Sequence, residues 1–282
     1  MSLAVRRIIF YLLLTAFLII APVLTGYTAG YRWSSTQKRL VKIGALSVKT
    51  EPAGTQVSIN GKPVKDRTPV FITNLIPGIY TLNIRKDGYH EWQKTLTVES
   101  ERTTFAHGVV LFRNAQPDFV SPLPPLLKGG IKVELTQSHK NYRVFYDPRI
   151  DKIVVVDNEK QRRIAELPGR SAIWHAEDRP MLFTYSANEV WQYEPGSGRS
   201  ILITRLADPI KQVILLPKIE ATILILEKEA RALELDLRDR QNSWTLAAFD
   251  EIKTASLAED GKTLLIEGTR AGKEGVWKLE LQ

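Results

Sequence analysis

The chain has 282 residues, 44% of them apolar and 25% charged, which allows two modest domains with real cores and excludes wholesale disorder. It contains no cysteine, so a disulfide framework and thiolate metal sites are excluded. The net charge of +8 is concentrated at one end: residues 1–43 hold Arg6, Arg7, Arg32, Lys38, Arg39 and Lys42 and no acid. The small remainder downstream, with no basic patch interleaved with aromatics, argues against nucleic acid as a partner.

Residues 1–7 read as a short cytoplasmic N-terminus. Ile8 to Tyr31 is an uncharged stretch of 24 residues, long enough to span a hydrocarbon core of about 30 Å as a transmembrane helix. Pro22 would kink it, and Tyr27, Tyr31 and Trp33 suit an aromatic belt at the far interface. A cleaved signal peptide would have a shorter apolar core, about 7–15 residues, and a better small-x-small site than Tyr27-Thr28-Ala29. We therefore expect an uncleaved anchor. Cations flank both ends of the span, and the count slightly favours a cytoplasmic C-terminus, a bias that long translocated domains override. The expected topology is N-in, C-out. Residues 32–43 then form a basic juxtamembrane stalk that continues the helix, at a position suited to anionic lipid head groups.

From Gly44 to Asn114 apolar residues alternate with polar ones at Leu46/Val48, Val57/Ile59, Tyr80/Leu82/Ile84 and Leu96/Val98. Period 2 over short runs means half-buried strands. Pro52-Ala53-Gly54, Asn60-Gly61, Pro77-Gly78 and Asp87-Gly88 break them, and Asn-Gly is the strongest short hairpin signal. A small antiparallel β module is expected. The order Gly44-x-Leu46-x-Val48, Pro52-x-Gly54-x-x-Val57-x-Ile59-x-Gly61, Thr68-Pro69, Leu75-x-Pro77-Gly78-x-Tyr80 and Gly88-Tyr89 resembles the PEGA domain family. Two departures stand out: the name-giving tetrapeptide is Pro52-Ala53-Gly54-Thr55, and the usual Gly before Thr-Pro is replaced near Asp66. The resemblance implies a small β-sandwich on a surface or membrane-anchored prokaryotic protein, and it brings no catalytic residues.

Residues 115–130 hold Pro117, Pro122, Pro124, Pro125 and a Gly pair, which deny them helix or central-strand status and mark a linker between domains. Residues 131–282 show short strands at a repeat of roughly 40 residues, the spacing of propeller blades with four strands each. Trp191, Leu233 and Trp277 correspond in successive copies. The strands ahead of them are Met181–Phe183, Thr222–Ile225 and Thr263–Ile266, preceded by Ala172–Trp174, Val213–Leu215 and Ala255–Leu257. Glu259 to Ile266 followed by Val276 to Leu279 resembles the blades of TolB-type and WD-like propellers. About four blades are legible, and the last lacks its outer strand. Either a strand from the linker side closes a small propeller, or the sheets form an open array.

The chain offers no constellation for chemistry. His90, His107, His139 and His175 lack metal-ligand spacing, and HExxH and Gly-x-Ser-x-Gly are absent. Pro195-Gly196-Ser197-Gly198 lacks the ending of a phosphate loop and reads as a hairpin turn. Glu227, Glu229, Glu234, Asp236 and Asp239 are interleaved with Lys228, Arg231, Arg238 and Arg240, the pattern of a charged, solvated face. Tyr80, Tyr89 and Trp92 read as module core or an aromatic contact surface, and Trp174, Trp191 and Trp277 as blade packing. The expectation is a mostly β protein with no catalytic, cofactor-binding or metal residues. It would be held in the cell membrane by one helix, with its C-terminal domains outside, as a structural or interaction protein of a prokaryotic envelope. Its expected partners are the lipid bilayer and a protein or cell-wall glycan. Rival readings are a sensor or regulatory ectodomain working with a membrane partner, and an envelope-polymer enzyme on a propeller scaffold.

Overall fold

A computed structural model describes residues 3–35, 37–120, 136–139, 141–175, 180–217 and 221–282. The chain begins with α1 (Leu3–Thr28), which is long and apolar enough to cross a membrane and buries none of its residues against the rest of the protein. It stops before Tyr31, and the segment beyond it is not the helical stalk expected. Gly30 adopts φ +85°, a left-handed conformation that ends helices at little steric cost. The chain then turns into a hairpin of β1 (Tyr31–Ser34) and β2 (Arg39–Lys42). The Arg32 guanidinium lies 3.5 Å from the centre of the Tyr27 ring and donates to the carbonyls of Tyr27 and Tyr31, each at 2.8 Å. A cation at that end complements the helix dipole and satisfies an orphan carbonyl.

Seven strands follow: β3 (Gly44–Glu51), β4 (Gln56–Ile59), β5 (Lys62–Pro63), β6 (Val70–Leu75), β7 (Gly78–Arg85), β8 (Trp92–Val98) and β9 (Thr103–Val110). They make two sheets, ordered β6-β3-β9 and β5-β4-β7-β8. Leu46, Val48, Val57, Leu82, Ile84, Trp92, Leu96, Ala106 and Val109 fill the space between them, so the small sandwich is present. The Asn60-Gly61 turn joins β4 to β5 with φ of 48° and 76°, the two positive values a type I′ turn requires. The module is not wholly antiparallel, because β9 pairs parallel to β3.

The Pro52 and Thr68-Pro69 loops are held by three threonines. The Thr68 hydroxyl lies 2.6 Å from that of Thr50 and 2.7 Å from that of Thr55, and it accepts from the Thr55 N–H at 3.0 Å. Thr55 and Thr68 are buried. Thr68→Val should therefore cost about 1–3 kcal/mol, since it strands a buried N–H donor. Thr68→Ser should recover most of the loss, as read from urea unfolding midpoints.

The remainder forms four four-stranded sheets. The last is completed by β10 (Asp118–Val120), which comes from the linker side. The first holds β11 (Thr136–His139), β12 (Tyr142–Asp147), β13 (Lys152–Asp157) and β14 (Arg162–Leu167). The second holds β15 (Ser171–His175), β16 (Met181–Tyr185), β17 (Glu189–Glu194) and β18 (Arg199–Arg205). The third holds β19 (Gln212–Leu215), β20 (Ala221–Ile225), β21 (Glu229–Glu234) and β22 (Ser243–Ala248). The fourth holds β23 (Glu251–Leu257), β24 (Thr263–Arg270) and β25 (Lys273–Glu280). Trp191, Leu233 and Trp277 all fall on third strands, as their spacing predicts. β10 pairs with β25 through Phe119↔Trp277, supplying the outer strand that the last repeat lacks. Residues 121–135, the rest of the expected linker and the start of the first repeat, lie outside the described residues.

Apolar clusters join neighbouring sheets in order. Val155 and Leu167 meet Leu182 and Tyr193; Phe183 and Val190 meet Val213 and Leu224; Ile223 and Ala232 meet Leu264 and Ile266. Among the described residues no such cluster joins the fourth sheet to the first, and no closed ring is seen. The sandwich joins this stack through a seam. Along the end of β9 and the residues after it, Val109 and Leu111 enter the sandwich core, while Val110 and Phe112 enter the core between the third and fourth sheets. The period-2 alternation of an extended chain thus feeds two cores from one segment.

Candidate interaction groove

The sandwich is docked on the third sheet along β8. Lys94, with a fully buried side chain, places its Nζ 2.8 Å from Glu234 Oε2 and 3.6 Å from Asp236 Oδ2. The same ammonium donates to the Asp236 carbonyl at 2.7 Å, and Trp92 Nε1 donates to Glu234 Oε1 at 2.9 Å. Asn242 Nδ2 donates to the Gln93 carbonyl at 3.0 Å, the Thr95 N–H to Asp239 Oδ2 at 2.7 Å, and Trp244 Nε1 to the Glu91 carbonyl at 3.0 Å. The acidic run 227–239 is therefore not the solvated face its charge pattern suggests. Glu234, Asp236 and Asp239 are the socket for the sandwich, while Glu227 and Glu229 pair with Lys211 and Arg231. Burial works against ionisation of Asp236, but the bonds from Arg238 and the charge of Lys94 outweigh it and leave its carboxyl below the usual range.

Beside this dock lies a cleft of about 620 Å³ between four elements: Phe105 and His107 on β9, Gln192 on β17, Arg199 and Ile201 on β18, and the loop Leu235–Arg238. Phe105 and Leu237 are exposed. The Phe105 and His107 rings meet edge to face at 4.9 Å, and His107 Nε2 lies 2.9 Å from Ser47 Oγ. Burial, aided by the charge of Lys49, pushes the His107 imidazole below its ordinary value, which favours its neutral form. Arg199 makes no ion pair among the described residues. An exposed row runs on from the cleft across the sandwich, because Ser47 faces Phe71 on one side and Phe105 on the other. The cleft thus combines the exposed Phe105 and Leu237 side chains with the Arg199 guanidinium.

The other residues singled out by sequence have structural places. Among the described residues no group of three His, Asp or Glu could hold a metal ion. The His90 N–H donates to the Phe112 carbonyl, and His175 Nε2 lies 3.2 Å from the Leu216 carbonyl. His139 stands beside Tyr142 and Trp174. Ser197 sits in the turn between β17 and β18, its hydroxyl donating to Glu194 at 2.6 Å. Trp92 is buried in the sandwich core and Tyr89 packs against it, while the Tyr80 hydroxyl donates to the Ile76 carbonyl. Trp277 is packed between Phe119 and Phe249, Trp174 against the first inter-sheet cluster, and Trp191 Nε1 donates to Glu189.

The PEGA domain family matches residues 43–109. The sandwich is a PEGA domain. No curated protein matches the chain in sequence. Among solved structures, the β-propeller domain of Cps50 (Swd1) from Myceliophteria thermophila is 14% identical over 47% of this chain and 61% of its own, with a TM-score of 0.34. TolB from Acinetobacter baumannii is 16% identical over 72% of this chain and 46% of its own, at 0.35. Hsv2 from Kluyvelomyces marxianus is 11% identical over 67% and 66%, at 0.37. The chain spans less than two thirds of the length of the first solved structures it matches.

Proposed function

We propose that this chain is a membrane-anchored, non-catalytic interaction protein of a prokaryotic cell envelope, with its PEGA domain and four-sheet stack on the outer side as one body. The observation that carries the reading is α1: its large apolar side chains stand exposed and none is buried by the protein, so lipid is the solvent that suits them. The Arg32 bonds to the helix end and the Lys42–Glu101 pair tie that helix through the hairpin to the PEGA domain. That continuity favours a retained anchor over a cleaved leader. Anchoring concentrates the body at the surface, so modest contacts in the groove suffice to hold a protein partner.

The test is the state of the protein in its own cells. We expect membrane fractions to contain the full-length chain, with a C-terminal tag cut by protease added to spheroplasts. A soluble product lacking about its first thirty residues (the span of a cleaved leader), or a tag protected until lysis, overturns the reading.

A further inference from the structure

We infer that the β1–β2 hairpin is a dock for the headgroup layer of an anionic phospholipid bilayer, which holds the PEGA domain against the membrane surface. This rests on the anchored reading above and adds a site to it. The two strands place Trp33 directly opposite Leu40 and Tyr31 opposite Lys42, so these four share one face. Trp33 and Leu40 are 60% and 63% exposed, an apolar pair that none of the described residues covers. On the other face Ser34 and Val41 are buried, while Arg39, opposite Ser34, stays exposed. From Arg32 to Lys42 there are four cations and no acid. Arg32 is spent on the helix end and Lys42 on Glu101, while Lys38 and Arg39 make no ion pair among the described residues.

Distance confines this element to the interface. Four extended residues reach about 13 Å, and the headgroup region extends about 5–8 Å beyond each side of the hydrocarbon core. A hairpin that starts at Tyr31, directly after α1, lies in or against that layer. Exposed Trp33 and Tyr31, with Lys38 in the turn and an exposed Arg39 on the other face whose Nε donates to Gln37 Oε1 at 2.9 Å, are the chemistry that such a layer rewards when its lipids are anionic. The hairpin is also coupled to the body: the Ile43 N–H donates to Gly30, the Glu101 N–H to Ile43, and the Ser100 hydroxyl to Lys42. Docking it therefore fixes the height of the whole β body.

The chain has no cysteine, so single introduced thiols report single places. The full chain is placed in nanodiscs of phosphatidylcholine, with and without phosphatidylglycerol, carrying a nitroxide at Leu40→Cys, Phe17→Cys or Glu159→Cys. Accessibility to oxygen and to a water-soluble nickel chelate then gives depth. We expect the label at 17 in the hydrocarbon core in both discs and the label at 159 in water. The label at 40 should be shielded from nickel in phosphatidylglycerol discs, and that shielding should be lost on Lys38→Gln/Arg39→Gln. A water-like label at 40 beside a deep label at 17 overturns the dock and leaves the anchor standing. Equal depth at 40 in both discs overturns the anionic preference. A shallow label at 17 overturns the anchor, and the dock with it.

Discussion

Glu234→Ala will destabilise the protein by about 3–5 kcal/mol, the cost of leaving one member of a buried ion pair without its partner. Lys94 has no exposed side-chain surface, and Glu234 also accepts from Trp92 Nε1 and from the backbone and side chain of Asn242. Truncation takes an acceptor from all of them at once, strands the Trp92 Nε1, and leaves the Lys94 ammonium only Asp236, through its carbonyl at 2.7 Å and its carboxylate at 3.6 Å. The double replacement Lys94→Met/Glu234→Gln should cost far less than the sum of its parts, with a coupling of about 1–3 kcal/mol, because the charges leave together. Urea unfolding followed by tryptophan fluorescence measures both. A loss under about 1 kcal/mol for Glu234→Ala would mean that the pair behaves like a solvated one. Acid should loosen the same dock. Asp236 and Asp239 both titrate below the ordinary carboxylate value in the folded protein. Asp239 is held down first by the Thr95 N–H, and Asp236 by Arg238 and Lys94 against the opposing effect of burial. Folded values below unfolded ones mean that this stabilisation is fully present above about pH 4 and is lost as pH falls through the folded values.

Phe112→Ala should cost about 3–5 kcal/mol and should also split the unfolding transition. Phe112 is fully buried, its ring centre 5.5 Å from that of Trp244, and it sits with Val110 in the core between the third and fourth sheets. Its neighbours Val109 and Leu111 belong to the other core. Emptying this position weakens a segment that feeds both cores, beside Trp244, which packs against both. The wild-type chain should unfold in a single step, whereas the variant should show the PEGA domain and the sheets melting apart. Phe71→Ala, at an exposed position, should stay within about 0.5 kcal/mol of wild type. A single, barely shifted transition for Phe112→Ala would show that the β8 dock and Trp244 hold the two bodies together without it.

What sequence reveals follows the range of the physics. Leu46/Val48, Leu82/Ile84 and Trp191/Leu233/Trp277 were legible because burial on one face of a strand imposes a period of two, and a repeated blade imposes a period near forty. Asn60-Gly61 was legible because its backbone demand is local. The hairpin after α1 was missed because a helical continuation was read through Gly30, the residue whose positive φ stops it. The socket was missed for a different reason. Glu234 and Asp236 look solvated beside Arg231 and Arg238, and nothing local says that Lys94, far back in the chain, arrives to bury them. The groove draws its walls from β9, β17, β18 and the loop after β21, and a surface assembled from separate segments leaves no contiguous pattern to read.

The strand Asp118–Val120 is made before the first sheet yet belongs to the fourth. A ribosome therefore delivers this piece long before its mate, Lys273–Glu280. Until that strand emerges Phe119 has no Trp277 to lie against, and the nascent body remains unlatched. A chain cut before Lys273 would thus lose far more than one strand.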